Sequence, residues 1–156
     1  LYELIMVKCL PKTDLKTNLN APVDQVYEVL NDFMNLPRWN ITVNGIEEIE
    51  TDKYLIHSTV GDMTNTVIEN IPNEKMTSTQ ENSPMLQIGY IFEPKGETTD
   101  VTLWTEFELE DQRDVLNMAA ELFLKSLKVY IDYIMEGGNP EEYKKKFGNI
   151  QKASLN

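Results

Sequence analysis

Apolar and polar residues alternate over most of two segments of the chain, 86–93 and 101–109. A period of two is typical of an antiparallel strand with one buried and one solvated face. The side chains predicted to face the interior are Leu86, Ile88, Tyr90, Phe92, Val101, Leu103, Thr105, Phe107 and Leu109. Both segments are therefore predicted to be strands.

Weaker strand patterns precede these two segments. They cover 46–50, 53–60, 63–71 and 75–80, and a first strand falls within 2–19, bent near Pro11. Short turn-forming segments are predicted between the later strands, at Asn44-Gly45, Thr51-Asp52, Gly61-Asp62, Pro72-Asn73 and Pro94-Lys95-Gly96. Short successive strands with tight turns predict an antiparallel meander.

The pattern then changes to the helical period and predicts one long helix over about 111–136, ended by Gly137-Gly138. Its polar residues form one narrow stripe: Asp114, Asn117, Glu121, Lys125, Lys128, Asp132 and Glu136. The predicted apolar face is wider than that of an ordinary surface helix: Val115, Leu116, Ala119, Leu122, Phe123, Leu127, Tyr130, Ile131 and Ile134. We expect this helix to be largely embedded.

Helices kept apart from a single antiparallel sheet define an α+β domain. We predict one domain over 1–138 and a short C-terminal helix or tail over 139–156. A long helix on the concave face of a curved sheet tends to leave space between the two layers.

The stretch NAPVDQVYEVLNDFMNLPRWN, residues 20–40, predicts two short helices between the first strand and the rest of the sheet. Pro22 and Asp24 suit the first turn of a helix, and Val23, Val26, Tyr27 and Leu30 form its apolar face. Pro37 turns the second helix, so that Trp39 is expected at the mouth of a cavity.

This stretch resembles the N-terminal signature of the START/Bet v 1-like (helix-grip, SRPBCC) superfamily, in its polyketide cyclase/dehydrase-like branch. The order of elements is similar to that superfamily across essentially the whole chain. The resemblance implies a curved sheet of about seven strands around the C-terminal helix, enclosing a hydrophobic cavity. Members bind lipids, sterols, quinones or aromatic polyketides, and a minority are enzymes.

The amino-acid composition limits the kinds of molecule that the protein is expected to bind. A formal net charge of −12 argues against nucleic acid and anionic membrane surfaces. No apolar run reaches the roughly 18 residues of a membrane helix, and LYELIMVKCL lacks a signal-peptide pattern. The single Cys9 suits a reducing compartment, so we expect a cytoplasmic protein. The run Lys144-Lys145-Lys146 is interpreted as a solvated helix face.

Few residues of the sequence are candidates for catalysis or for binding a metal or cofactor. One histidine and one cysteine give no basis for a metal site, phosphate-binding glycine motifs are absent, and no cofactor is expected. His57 and Tyr130 are the only candidates for catalysis, and His57 qualifies only if its strand turns that face inwards. Otherwise His57 is a packing or solvent-facing residue.

A ligand site is predicted where the long helix faces the sheet. Ser126 and Tyr130 would be its polar anchors, unless each hydroxyl bonds within the protein. The predicted ligand-binding set is Trp39, Tyr90, Phe92, Leu103, Phe107, Leu116, Ala119, Phe123, Ser126, Leu127 and Tyr130. By its parity Trp104 falls on the opposite face, as a partly exposed aromatic or a contact in a homodimer, unless a bulge turns it inwards.

The sequence thus favours binding of a small hydrophobic or aromatic molecule in an internal cavity. The alternatives are an enzyme of the polyketide cyclase/dehydratase type and a protein-interaction module of the Hsp90-activator type. A cavity lined only by aliphatic and aromatic groups would disfavour the enzyme, since nothing could then move a proton.

Overall fold

The structure, a computed structural model, describes residues 9–155, which form seven strands, four α-helices and three short 3-10 helices. The strands are β1 (Lys12–Leu19), β2 (Val43–Glu50), β3 (Lys53–Ser58), β4 (Gly61–Ile71), β5 (Lys75–Glu81), β6 (Met85–Lys95) and β7 (Thr98–Phe107). The helices are α1 (Val23–Asn31), α2 (Leu36–Trp39), α3 (Arg113–Met135) and α4 (Phe147–Lys152). The predicted first strand is present from Lys12 onwards, and its residues 2–8 lie outside the described residues.

The strands form one antiparallel sheet in the order β1-β7-β6-β5-β4-β3-β2. Strands β2 to β7 are successive hairpins, and β1 joins the far edge beside β7. We call the sheet face that carries α3 the inner face and the opposite one the outer face. The predicted α+β fold is confirmed, with two short helices after the first strand and one long C-terminal helix on the sheet.

Most predicted turns are correct, but two local predictions are wrong. Asp52 and Asn73 have the positive φ of tight turns, as their sequences suggested. Asn44-Gly45, however, lies inside β2, where a register shift marks a bulge. Leu109 lies beyond the end of β7 and is exposed, so it is not an inward-facing residue.

Trp104 lies on the outer face, because β7 keeps a strict alternation of buried and half-buried residues. Its indole ring covers Gly89 on the neighbouring strand β6, and the ammonium of Lys12 lies 5.6 Å from the ring centroid. The missing side chain of Gly89 leaves the space that the indole fills. Trp104 is thus half-buried by its own sheet, which leaves less of the ring for a second subunit.

Helix α3 is embedded as predicted, but its buried face is rotated. Leu116, Phe123 and Leu127 are buried, whereas Val115 and Ala119 are exposed. Helix α3 packs chiefly against β1 and β7, which leaves the side that carries Val115 and Ala119 exposed. The prediction that Val115 and Ala119 belong to the buried face is therefore wrong.

The segment 139–155 folds back along α3 and covers part of its polar stripe. Lys125 and Lys128 donate to the backbone carbonyls of Gln151 and Ser154, and Ile150 is fully buried. The ammonium of Lys145 donates to the carbonyls of Asn40 and Val43, at 2.8 and 2.6 Å. Lys145 is therefore an anchor of this segment rather than part of a solvated helix face.

We expect Gly89→Ala to destabilise the protein, because the new Cβ would collide with the indole ring of Trp104. Overpacking of this kind costs roughly 1–3 kcal/mol, measured as a shift of the urea unfolding curve. Gly148→Ala is the control, since a Cβ at Gly148 meets no atom within 4 Å. Equal stability of the Gly89→Ala variant and the wild type would contradict the packing described for Trp104.

We also expect Lys145→Met to lower the free energy of unfolding by about 1–2 kcal/mol, because two carbonyls lose a charged hydrogen-bond donor. Its matched control is Lys144→Met at the adjacent exposed lysine. Urea unfolding of both variants measures the difference. If the two substitutions have the same effect, Lys145 does not anchor the segment.

Candidate functional site

The inner face is covered unevenly. Helix α3 lies over β1 and β7, while α1 and α2 close one end of the sheet and α2 contacts β2. Several inward-facing side chains of β3 to β6 remain half-buried although the register points them at the helix side: Tyr54, Val67, Ile88 and Tyr90. We call this uncovered part of the inner face, beside the N-terminal half of α3, the inner groove.

Beneath the C-terminal half of α3 the space is filled by aromatic rings. Trp39 is 1% exposed and meets Phe123 edge-on at 5.3 Å and Tyr130 in a stack at 6.2 Å. Tyr90 stacks on the other side of Phe123, at 5.5 Å. Trp39 is therefore a core residue and not a residue at a cavity mouth, because its ring completes this cluster.

The two hydroxyls predicted to anchor a ligand make contacts within the protein. The Oγ of Ser126 is buried and accepts a hydrogen bond of 3.2 Å from the backbone N–H of Ile41. Tyr130 stacks on Tyr143 at 4.9 Å, and burial raises the pKa of its hydroxyl while the guanidinium of Arg38 opposes that rise. Ser126 is thus hydrogen-bonded within the protein, whereas Tyr130 packs against Tyr143 and has its hydroxyl beside Arg38.

The remaining members of the predicted ligand set divide into two groups. Most of them are buried in the core between α3 and the sheet: Phe92, Leu103, Phe107, Leu116, Phe123 and Leu127. Tyr90 faces the inner groove, and Ala119 lies on the exposed side of α3. Only Tyr90 therefore combines inward orientation with access, and Ala119 lies at the edge.

Polar groups of the inner groove come from β4 and β5, which the sequence patterns did not single out. Asn65 is 5% exposed, and its Oδ1 accepts a hydrogen bond of 3.0 Å from Nε2 of Gln80. The Oε1 of Gln80 in turn accepts from the hydroxyl of Ser83 at 2.8 Å. Ser78, between these residues and β6, is also buried. The sequence alone does not show that Asn65, Ser78 and Gln80 share one face of the sheet. The pairing of β4 with β5 places them there.

Two further polar groups border the same layer of side chains. Burial raises the pKa of the Tyr90 hydroxyl strongly, so the group stays protonated and can donate a hydrogen bond. Thr105, opposite Ile88 on the inner face of β7, is buried, and its Oγ1 has no hydrogen-bond partner among residues 9–155. The groove therefore offers neutral donors and acceptors set in apolar surroundings.

His57 lies on the outer face, away from the inner groove, since its pairing with Asp62 and Gly45 puts Ile56 inwards instead. Its Nε2 lies 2.7 Å from Glu47 and its Nδ1 2.9 Å from Asp62. The hydrogen bond with Glu47, followed by that with Asp62, raises the pKa of the imidazole. The condition for a catalytic His57 is not met, and the residue joins three strands on the outside.

Neither a metal site nor a membrane span is found in the described part of the chain. No group of three His, Cys, Asp or Glu side chains within 9–155 is placed to hold a metal ion. Among the same residues, no helix has both the length and the apolar character that crossing a bilayer requires.

Two open clefts lie away from the inner groove. One, of about 510 Å³, separates α3 from the C-terminal segment, and the other, of about 500 Å³, lies between Pro22 and Met135. Neither contains a residue of the predicted ligand set.

An antiparallel sheet wrapped on one long helix, with two short helices between β1 and β2, defines a START-like helix-grip protein. Residues 11–129 match the family described as polyketide cyclase / dehydrase and lipid transport, and the chain belongs to this family. The resemblance noted in residues 20–40 is thereby confirmed. No curated protein matches the chain in sequence.

Solved structures show the same fold at low sequence identity. A START superfamily protein from Mycobacterium smegmatis is 12% identical with a TM-score of 0.71, over 79% of this chain and 98% of that one. The Zhui aromatase/cyclase from Streptomyces sp. R1128 is 15% identical with a TM-score of 0.70, over 83% and 99%. The Aha1 dimer from Colwellia psychrerythraea is 20% identical with a TM-score of 0.67, over 78% and 96%.

We expect His57 to stabilise the fold in its protonated form. Because the folded pKa is raised, this stabilisation is fully present below the unfolded pKa of about 6.5 and is lost as the pH rises through the folded value. The difference in urea midpoint between wild type and His57→Gln should therefore be larger at pH 6 than at pH 9. Glu47→Gln, which removes the closer carboxylate, should reduce the same difference. A difference that is independent of pH would show that the ion pairs do not stabilise the sheet.

Proposed function

We propose that the protein binds a small hydrophobic or aromatic molecule in the inner groove, between β3 to β6 and the N-terminal half of α3. The observation that carries this proposal is the accessibility of inward-facing side chains. Val67, Ile88 and Tyr90 point to the helix side but are only half-buried, because α3 lies over β1 and β7.

The composition of the groove supports a small-molecule site. Ligand pockets are mostly apolar and aromatic, with a few convergent polar groups. Here Val67 and Ile88 supply apolar surface, while Asn65, Ser78 and Tyr90 supply the polar groups. The family's description, which includes lipid transport, fits the same kind of ligand.

Helix α3 supplies the second wall. Its residues 115, 119, 122 and 126 follow helical spacing and share one side of the helix. At the far end of that side, Ser126 meets Ile41, just before β2. Val115 and Ala119, which are exposed, are therefore directed towards the same uncovered half of the sheet and give the groove an apolar rim.

A cyclase or dehydratase is the second function, favoured by the family description and the likeness to an aromatase/cyclase. Such an enzyme needs a group that moves a proton near neutral pH. His57 is on the outer face, and burial raises the pKa of Tyr90, which makes that hydroxyl a hydrogen-bond donor and not a base. The groove therefore favours binding over acid–base catalysis.

A fluorescent probe tests the binding function directly. N-phenyl-1-naphthylamine is uncharged and becomes brighter in apolar surroundings, so titration with the protein should give saturable binding of one probe per chain. Ile88→Trp places a large ring in the groove and should raise the probe Kd at least about tenfold, equivalent to about 1.4 kcal/mol. Val67→Phe is a second substitution that fills the groove.

The matched control is Ile91→Trp, on the same strand but on the outer face, where Ile91 is 47% exposed. It should leave the probe Kd unchanged, and circular dichroism should show that all variants are folded. The proposal fails if the wild type shows no saturable binding. It also fails if Ile91→Trp weakens binding as much as the two inner substitutions do.

A further inference from the structure

The inner groove combines apolar walls with polar groups that are all neutral. No Asp, Glu, Lys, Arg or His of β3 to β7 points inwards, because the strand register places every charged residue of these five strands on the outer face or in a turn. Cross-strand ion pairs such as Lys75–Glu69, at 3.3 Å, are confined to that outer face. The ionisable side chains of the groove are the hydroxyls of Tyr54 and Tyr90, whose pKa values burial raises.

Glu48 of β2, an exposed carboxylate opposite Tyr54, borders the groove and adds to its repulsion of anions. The cations nearest to this layer have partners elsewhere. Lys145 binds two backbone carbonyls beside α2, and Arg113 binds Glu110 at the start of α3. Arg38 lies beside the Tyr130 hydroxyl, where aromatic rings fill the space. None of the three lies on β4 or β5, which carry polar groups of the groove.

Asn65 is the central polar residue of the groove. It lies opposite Tyr54 on β3 and Gln80 on β5. Because its Oδ1 is occupied by the Gln80 amide, and Gln80 is itself held by Ser83, the orientation of the Asn65 amide is fixed. Its Nδ2 makes no hydrogen bond with residues 9–155, and it is not one of the fully buried atoms that lack a partner, so it is accessible to solvent. A donor that is accessible and held in one orientation is available to a bound molecule.

We infer that the Asn65 amide is the recognition point for an uncharged oxygen acceptor, a carbonyl or an ether, on an otherwise apolar ligand. This inference rests on the binding function proposed above. An acceptor oxygen can accept from the N–H groups of Asn65, and Ser78, two residues from Gln80 on β5, is the neighbouring hydroxyl. An ionised carboxylate has no cation to pair with in the groove and is repelled by a net charge of −12, so the groove selects against free fatty acids and other anions.

Three naphthalenes of similar size test this selection by displacement of N-phenyl-1-naphthylamine at pH 7.5. They are 2-acetylnaphthalene, which carries a carbonyl, 2-ethylnaphthalene, which carries no acceptor, and 2-naphthoate, which is ionised. We expect the ketone to compete about five- to tenfold more strongly than the hydrocarbon, the gain of one buried hydrogen bond. We expect 2-naphthoate to compete least.

Two variants assign the selection to Asn65. In Asn65→Leu the ketone should lose its advantage while the hydrocarbon competes as before. Asn65→Asp keeps the size of the side chain and an acceptor for Gln80, and it should remove the same advantage even if Asn65→Leu does not fold. Thr64→Val, on the outer face of the same strand, is the control and should leave all three competition constants unchanged.

The outcomes separate the two proposals. If the wild type binds neither the fluorescent probe nor any naphthalene, the binding function itself is wrong. If all three compounds compete equally, or 2-naphthoate competes most strongly, the groove binds ligands but does not select an uncharged acceptor. If the advantage of the ketone survives in both Asn65 variants, the acceptor is recognised elsewhere and the inference is overturned.

Discussion

The contacts of one side chain, Phe123, set the geometry of the whole molecule. Its ring lies 5.5 Å from Tyr90 of the sheet and 5.3 Å from Trp39 of the two-helix segment. Aromatic pairs at such distances add specific geometry to a large apolar burial. Because Phe123 must point between these two rings, α3 can take only one rotation about its axis. That rotation buries Leu116 and Leu127 and leaves the side with Val115 and Ala119 uncovered.

The opposite side of α3 is fixed independently, by hydrogen bonds and not by aromatic packing. Lys125 and Lys128 bind carbonyls of the C-terminal segment, and Arg113 donates to the carbonyl of Lys12 at the edge of β1. The helix is thus held over one half of the sheet. The other half keeps apolar side chains accessible to solvent, which forgoes burial energy. Such a local loss of packing is expected at a site where a protein binds a ligand.

The order of the elements could be predicted because alternation and helical spacing are local patterns. Which residues contact each other across the fold could not be predicted, since such contacts join residues far apart in the chain. Ser126 finds Ile41, 85 positions away, and only the pairing of three strands decides that His57 faces outwards. Asn65 stands between Thr64 and Thr66, so no change of polarity marks it as inward-facing. The bulge near Ile68 further obscures the period of two in β4.

Alternation gives strands β3 to β7 two faces of different chemistry. The outer face carries the ions, including Lys16 between Glu93 and Asp100 and the imidazole of His57 between two carboxylates. On these strands the inner face carries neutral groups, some of which hydrogen-bond one another through side-chain amides. In low-dielectric surroundings an unpaired charge would be far more costly than an unpaired amide. A sheet built in this way can leave an open apolar surface with hydrogen-bonding specificity without placing any unpaired ion in its interior.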